Sequence, residues 1–240
     1  VSVLYCHSSF VDFNFKCTPS NMRPVILDHD GGVDDLVALA LLLASVDDVR
    51  VIGCVVLDAD CYMKDAYSVS GKLAALMRRK DPAKRVSPFP IAMSSLGGVH
   101  PFPHEWRVDA RKMDDLPCMN IPKFSKDWES EFGGRDGEPG EELLARLVMD
   151  QKGSTPVTIC VTGPLTNIAF ALKKYGSAFA ENVEKIVIMG GAVDVKGNVF
   201  VEGTDHSAEW NIYWDAPSAK EVLESPLLAD KCVLFSLDAT

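Results

Sequence analysis

Four aspartates in the segment 28–35 are the residues of this chain with the clearest capacity for chemistry. Asp28 and Asp30 lie on one side of a predicted strand, because successive side chains alternate between the two faces of a strand. Asp34 and Asp35 fall in the first turn of the helix predicted to follow. Carboxylates this close repel one another unless a cation or a proton compensates their charge. Oxygen ligands without nearby Cys or paired His favour calcium or magnesium over zinc, and the flexible glycine turn favours calcium.

A purely structural interpretation of two of these aspartates stays open. Aspartate at the start of a helix is favoured by N-terminal capping and by the helix dipole. Asp34 and Asp35 could therefore stabilise the helix without any ligand. Four acids behind one apolar strand are harder to explain in this way, and we favour a functional site.

Composition and charge exclude several classes of protein. A chain of 240 residues with 47% hydrophobic content can bury one sizeable core, and no apolar run is long enough to cross a bilayer. The net charge of −10 opposes binding to nucleic-acid polymers and to anionic membranes. The seven cysteines contain no CxxC pair, and Cys54 and Cys160 lie in apolar, strand-like runs. These features indicate a reducing compartment, and we expect a cytoplasmic protein.

The elements that must position the aspartates alternate along the chain. Residues 1–22 read as a poorly specified N-terminal extension, and residues 23–240 as one catalytic domain. The strands are predicted at 25–28, 50–56, 157–161, 185–189 and 232–235. The helices are predicted at 33–45, 66–79, 141–151, 165–175 and 218–224. Strands that alternate with longer helices predict an α/β fold with an open, mostly parallel, Rossmann-like sheet flanked by helices.

The two remaining long segments, 94–122 and 123–140, are rich in proline or in polar residues and glycine, and are predicted as surface loops. In open parallel sheets, ligands bind beyond the carboxyl ends of the strands. The aspartate segment and residues 58–60, 162–164 and 189–191 all follow predicted strands. We therefore expect them to converge on one rim of the sheet.

Three segments of the sequence match the motifs of one enzyme family. They are Asp-His-Asp-Gly-Gly-Val-Asp-Asp at 28–35, Val-Thr-Gly-Pro-Leu-Thr-Asn-Ile-Ala at 161–169 and Ile-Met-Gly-Gly-Ala at 188–192. On these motifs, residues 23–240 resemble the nucleoside N-ribohydrolases of the inosine-uridine family. Two further segments, 101–106 and 208–215, are similar to its purine-preferring inosine-adenosine-guanosine branch.

The resemblance implies a mechanism and a cofactor. It implies calcium bound by the side chains of Asp30 and Asp35 and by the main-chain carbonyl of Thr162. It also implies that Asp30 takes a proton from the calcium-bound water that attacks the anomeric carbon. The implied substrates are the purine ribonucleosides inosine, adenosine and guanosine, which are cleaved to free base and ribose. We expect the protein to act as a homodimer.

The same resemblance assigns residues to the substrate. Those implied for ribose binding are Asp34, Asn198, Glu209 and Asn211, with Met189 packing under the sugar, although its pattern alone favours a core residue. Glu105 and Trp106 match the segment at the base, where Trp106 would stack on the purine so that solvent can protonate it. On packing grounds alone, Trp106 would instead anchor a loop. Asp60 would lie near the base, and Asp58 would be structural.

Histidines are given no metal-binding role. His29 lies between two acids but points to the opposite side of the strand, so we interpret it as a packing or hydrogen-bonding residue. His100 and His104 are four residues apart, but Pro101 and Pro103 prevent the regular helix that would bring them onto one face.

The sequence departs from the family pattern at two places. Gly32 stands where purine-preferring members carry Asn, which removes a possible ribose contact. The chain stops at residues 237–240, before the segment that supplies another calcium-ligating Asp, a second aromatic and, in some branches, a His acid. We therefore expect a nucleoside hydrolase fold that lacks its C-terminal part, with weak calcium binding and slow turnover.

Two other functions remain open from the sequence. An apolar strand that ends in Asp-x-Asp-Gly also opens the haloacid-dehalogenase-like magnesium phosphatases, in which Asp28 would be the nucleophile. Gly32 and the paired Asp34 and Asp35 fit that family poorly. The second alternative is a nucleoside-binding remnant that has kept the fold but lost turnover.

Overall fold

A computed structural model describes residues 22–81, 83 and 85–239. Within these residues, six strands form one parallel sheet in the order β3-β2-β1-β4-β5-β6. The strands are β1 Arg23–His29, β2 Val49–Val56, β3 Ile91–Met93, β4 Val157–Val161, β5 Val183–Met189 and β6 Cys232–Phe235. The predicted open parallel sheet is confirmed.

The helices flank this sheet. They are α1 Val33–Ala44, α2 Met63–Lys80, α3 Asp109–Asp114, α4 Pro122–Ser125, α5 Glu129–Phe132, α6 Gly140–Met149, α7 Thr166–Tyr175, α8 Ser177–Ala180, α9 Trp210–Trp214 and α10 Ala216–Leu223. Short 3-10 turns occur at Pro117–Asn120 and Ala229–Lys231. None of the described helices is long and apolar enough to span a membrane.

The central strands are apolar on both faces because helices cover the sheet on both sides. Ile26 belongs to a core formed with α6, α7 and α10, and the next residue, Leu27, belongs to the core formed with α1 and α2. Both side chains are fully buried. Burial of each contributes roughly 2 kcal/mol, and strands of this kind read as continuous apolar runs.

A third, smaller core lies beyond the carboxyl ends of the strands. It consists of Leu57, Ala59, Phe102, Val199, Trp210 and Trp214. This cluster packs the segment after β2, the proline-rich segment and α9 against one another. It therefore builds a wall at the rim where the sequence predicts a ligand.

The structure corrects the interpretation of residues 94–140 as surface loops. This region contains three short helices, α3 to α5, and one 3-10 turn. Buried side chains such as Met119, Trp128 and Phe132 pack it into the core that contains α2. Each helix has only four to six residues, which is too short for a helical period to be visible in the sequence. The predicted extension at 1–22 lies outside the described residues, except for Met22.

Candidate active site

The predicted convergence produces a pocket open to solvent at the carboxyl ends of the strands, with a volume of about 200 Å³. Its lining residues are Asp30, Asp34, Asp35, Asp60, Phe102, Trp106, Thr162, Met189, Asn198, Glu209, Trp210 and Asn211. The structure thus brings together the candidate residues named from the sequence, with the exception of Glu105, which is exposed and does not line the pocket. Phe102 and Trp210 are lining residues that the sequence reasoning did not single out.

A tight turn after β1 presents the acids. Gly31 has a φ of +92°, and a Cβ there would lie 2.4 Å from the Cβ of Ala66, so only glycine fits. The main-chain N–H of Gly32 donates to Asp35 Oδ2 at 2.8 Å, and the N–H of Asp60 donates to Asp30 Oδ2 at 3.1 Å. These bonds hold both buried carboxylates in place without neutralising them.

The two buried acids differ in their proton affinity. Burial, followed by the charge of Asp35, raises the pKa of Asp30 well above its usual value. Burial also acts to raise the pKa of Asp35, but interactions with His29, Asp30 and Thr162 outweigh it and lower that pKa to about 2. Burial and the charge of Asp35 raise the pKa of Asp60 to about 6. Negative charge is therefore incompletely compensated here, which is the electrostatic condition that a cation relieves.

The donor atoms fit a hard cation. Asp30, Asp35 and the Thr162 carbonyl offer oxygen alone, and Asp35 Oδ1 is buried without a hydrogen-bond partner. Asn211 Nδ2 donates to the Thr162 carbonyl at 2.9 Å, which leaves that oxygen a second lone pair. In the described part of the chain, no three His, Cys, Asp or Glu side chains already form a metal-binding group. The fitting set is therefore two carboxylates supplemented by a main-chain oxygen.

Glu209 and its neighbours are fixed by main-chain bonds at the start of α9. Glu209 accepts hydrogen bonds from the N–H groups of Gly191 at 2.9 Å and Asn211 at 3.0 Å. Asn211 Nδ2 also lies 3.2 Å from the Met189 carbonyl. Asn198 Oδ1 accepts from the N–H of Trp210 at 3.0 Å. A polar ligand would thus meet preorganised oxygen and amide groups on this side of the pocket.

An aromatic surface faces the acids. Phe102 and Trp210 stack with ring centroids 5.0 Å apart, and Trp106 meets Trp210 edge-on at 5.5 Å. Trp106 is 41% exposed, so one part of its ring is available to a ligand. Phe102 and Trp210 belong to the segments 101–106 and 208–215 quoted above. Their repeated aromatic character was the signal that could have identified them.

Residues near the acids have structural partners. His29 is buried, and its Nε2 lies 3.3 Å from Ser70 Oγ, which confirms its interpretation as a packing and hydrogen-bonding residue. Its Nδ1 lies 3.8 Å from Asp35 Oδ2, beyond hydrogen-bond distance. His104 Nδ1 lies 2.7 Å from the Tyr62 hydroxyl. Asp58 does not line the pocket and instead pairs with Arg107, as expected of a structural residue.

Gly32 leaves little room for a larger residue. A Cβ at this position would lie 2.5 Å from Asp34 Oδ1 and 3.1 Å from Asp60 Oδ2. An asparagine there would displace one of these carboxylates. The departure from the purine-preferring pattern at Gly32 therefore matches the positions that Asp34 and Asp60 adopt in this chain.

Known proteins resemble the chain in sequence and in fold. Residues 25–240 match the family described as inosine-uridine preferring nucleoside hydrolase. The pyrimidine-specific ribonucleoside hydrolase RihA of Shewanella sp. (strain MR-4) is 30% identical over 216 residues, which cover 88% of this chain and 59% of that protein. The chain therefore spans 59% of the length of this relative.

Two solved structures extend the comparison. The inosine-uridine preferring nucleoside hydrolase of Bacillus anthracis has a TM-score of 0.80 and 32% identity, covering 91% of this chain and 66% of that one. A purine-preferring ribonucleoside hydrolase of Gardnerella vaginalis has a TM-score of 0.60 at 23% identity, covering 90% of this chain and 61% of that one, and shows a likeness of fold alone. A match of this extent argues against the phosphatase alternative. The chain belongs to the inosine-uridine preferring nucleoside hydrolase family.

Proposed function

We propose that this protein hydrolyses the N-glycosidic bond of ribonucleosides, with calcium as its cofactor and purine ribonucleosides as its preferred substrates. One observation carries the proposal: five carboxylates and the partly exposed ring of Trp106, which packs against Trp210, line the same pocket. Four of the carboxylates would lie on the sugar side, whereas Asp60 and the aromatic rings would lie near the base. The pocket thus offers a different chemical environment to each side of the bond to be cleaved.

The carboxylates on the sugar side of the pocket are suited to the charge of the transition state. Cleavage of an N-glycosidic bond develops positive charge on the ribose in an oxocarbenium-like transition state. Fixed carboxylates stabilise that charge more than they stabilise the neutral substrate, which is the condition for catalysis. Asp34, Glu209 and Asn211 would hold the ribose hydroxyls, and Met189 would pack against the ring.

Asp30 is the proposed general base. It lies at the tip of β1, and its carboxylate would accept the proton of the water that attacks the anomeric carbon. It must be ionised to do so, although burial and Asp35 raise its pKa. Calcium bound by Asp30, Asp35 and the Thr162 carbonyl would supply the positive charge that keeps Asp30 ionised and orients the reactants.

The proposed preference for purines depends on the residues near the base. Trp106, supported by Trp210, would stack on the leaving base and favour its protonation by solvent. A purine offers two fused rings to this surface, which supports a preference for purines. The relative from Shewanella is named as pyrimidine-specific, so the preferred base needs its own measurement. The homodimer and the cytoplasmic location remain predictions from the sequence.

The test is direct measurement of product release. The protein is incubated with inosine, guanosine, uridine or cytidine, after chelation of calcium and after its restoration, and free base and ribose are measured. Calcium-dependent release of hypoxanthine and guanine faster than that of uracil or cytosine supports the proposal. Faster release of the pyrimidines would overturn the purine preference alone. Thermal stabilisation by nucleosides without release would favour the nucleoside-binding alternative.

A further inference from the structure

A network of four buried polar side chains lies next to the pocket and takes no part in the proposed chemistry. Its members are Asp28 on β1, Ser94 after β3, Glu141 on α6 and Asn167 on α7, and each is at most 3% exposed. Burial of polar groups costs free energy unless they are hydrogen-bonded. Four such residues from separate segments therefore need an explanation beyond packing.

The amide of Asn167 is hydrogen-bonded on both sides. Its Nδ2 donates to Asp28 Oδ1 at 2.8 Å, and its Oδ1 accepts from the hydroxyl of Ser94 at 2.7 Å. An ionised Asp28 accepts from the amide N–H, and the Ser94 hydroxyl can donate to the amide oxygen, so both ends of the Asn167 amide are satisfied. Asn167 thus connects β1 to the end of β3 through hydrogen bonds on both sides of one amide.

The far end of the network is anchored on α6. Glu141 Oε2 accepts from the N–H of Ser95 at 2.9 Å and lies 3.2 Å from Ser94 Oγ. A Cβ on Gly140 would lie 2.6 Å from Val55 Cγ1 and 2.9 Å from the nitrogen of Ser94, so the start of α6 is in close contact with the sheet. The network is therefore attached to an element that is packed tightly against the strands.

The near end of the network connects to the proposed ligands. Asp28 precedes Asp30 by two residues, and its main-chain oxygen accepts from the N–H of Thr162 at 2.9 Å. Asn167 lies in the first turn of the helix that follows the Thr162 turn. One side-chain bond, from Asn167 to Asp28, thus ties the end of β1 to the segment after β4. The second oxygen of Asp28 has no hydrogen-bond partner, so this carboxylate is poorly explained by stability alone.

We propose that Asn167 is a positioning residue, which through Asp28 sets the distance between the Asp30 and Asp35 carboxylates and the Thr162 carbonyl. This inference rests on the proposed function for its catalytic meaning. Substitution of a residue that orients metal ligands without binding the metal itself typically lowers metal affinity by about 10- to 100-fold. A network that serves only stability would change unfolding and leave ligand geometry as it is.

A reciprocal exchange of acid and amide separates these roles. Asn167→Asp places a carboxylate against Asp28 and removes the donor, so calcium dissociation constants measured by titration calorimetry should rise about 10-fold. The double variant Asp28→Asn with Asn167→Asp restores an amide-to-carboxylate bond of opposite direction, and the carboxylate introduced at position 167 still accepts from Ser94. Calcium affinity should return to within about 3-fold of the unaltered protein, which removal of a purely structural contact would not predict.

The matched control lies on the adjacent residue of the same helix. Thr166 Oγ1 donates to Asp215 Oδ2 at 2.7 Å, a buried bond that joins α7 to the start of α10 and does not reach β1. Thr166→Val should lower the melting temperature and leave calcium affinity within about 2-fold, since no ligand is attached to it. Equal loss of affinity in Asn167→Asp and Thr166→Val, or failure of the double variant to recover, would overturn the inference.

Amide hydrogen exchange at Thr162, measured without calcium, tests the positioning independently of activity. Faster exchange in Asn167→Asp, recovered in the double variant and unchanged in Thr166→Val, supports the inference even where the unaltered protein releases no base. Unchanged exchange in Asn167→Asp overturns it. Absence of base release from the unaltered protein would instead count against the proposed function.

Discussion

At the scale of single residues, the site contains two buried aspartates whose pKa values are shifted in opposite directions. The pKa of Asp35 is lowered to about 2, whereas that of Asp30 is raised well above its usual value. Environments that separate the pKa values of neighbouring acids assign them different roles. Asp35 is suited to remain a charged ligand, and Asp30 is suited to exchange a proton once a cation is present.

Asp30→Asn tests the proposed base. The amide oxygen can still accept from the N–H of Asp60, so the fold should be retained, but the side chain can no longer accept a proton. We expect kcat for inosine to fall by roughly 10²- to 10⁴-fold, measured as initial rates of hypoxanthine release. Asp58→Asn is the matched control, because Asp58 is outside the pocket and pairs with Arg107. Unchanged turnover in Asp30→Asn would refute the assignment.

Trp106→Ala tests the aromatic surface. Trp106 is 41% exposed, so its removal should affect stability little. Loss of stacking on the larger purine should lower kcat/KM for inosine by about 10-fold and for uridine by less. Trp106→Phe keeps an aromatic face and should retain most of the activity. Equal losses on both substrates would show that this ring does not discriminate between bases.

At the scale of secondary structure, elements with a clear apolar run or helical period were predictable, and short elements without one were not. The strands at 157–161 and 232–235 have the predicted bounds, because nearly all of their residues are apolar. The strand β3 has three residues and was missed. The rim positions were predictable because residues that follow parallel strands meet at one edge of the sheet. The aromatic residues of segments 101–106 and 208–215 could be noted from the sequence, but the stacking of Phe102 on Trp210 depends on tertiary packing.

Gly31→Ala tests the turn that presents the acids. The main chain at Gly31 has a positive φ, which residues with a side chain rarely adopt, and a Cβ there would clash with the Cβ of Ala66. We therefore expect Gly31→Ala to lower the free energy of unfolding by about 2 kcal/mol or more. Urea unfolding measures it. Gly97→Ala is the control, since a Cβ there has no neighbouring atom within 4 Å. Comparable stability of the two variants would contradict the assigned strain.

The ion pair that anchors α6 should give stability that depends on pH. Arg146 donates to both carboxylate oxygens of Glu138, at 2.6 and 2.9 Å, and this contact lowers the pKa of Glu138. Because that pKa is lower in the folded state, the pair stabilises the protein above the unfolded pKa and loses its contribution as the pH falls through the folded value.

Glu138→Gln should therefore cost about 1 kcal/mol at neutral pH. The difference from the unaltered protein should shrink as the pH is lowered below the ordinary glutamate value of 4.5. Urea unfolding across this range measures it. Glu224→Gln, which alters an exposed pair with Lys220, should have no measurable effect. A penalty for Glu138→Gln that does not depend on pH would contradict the argument.

At the scale of the whole molecule, one parallel sheet explains why distant segments can form one site. The aspartate segment, Thr162 and Met189 follow or end three adjacent strands, β1, β4 and β5, and reach the pocket from the same edge. The protein is acidic overall, with a net charge of −10, and it concentrates carboxylates at this edge. A bound cation is the simplest means by which such a rim can be stable and chemically active.

Calcium titration calorimetry on chelator-stripped protein, with and without Asp35→Asn, tests this central claim most directly. Asp35 is the buried acid whose charge is best maintained, and its replacement by an amide keeps the shape of the side chain. The account predicts binding of calcium to one site per chain, with affinity reduced by about 10-fold or more in Asp35→Asn. Equal affinity in both proteins, or no binding by the unaltered protein, would contradict it.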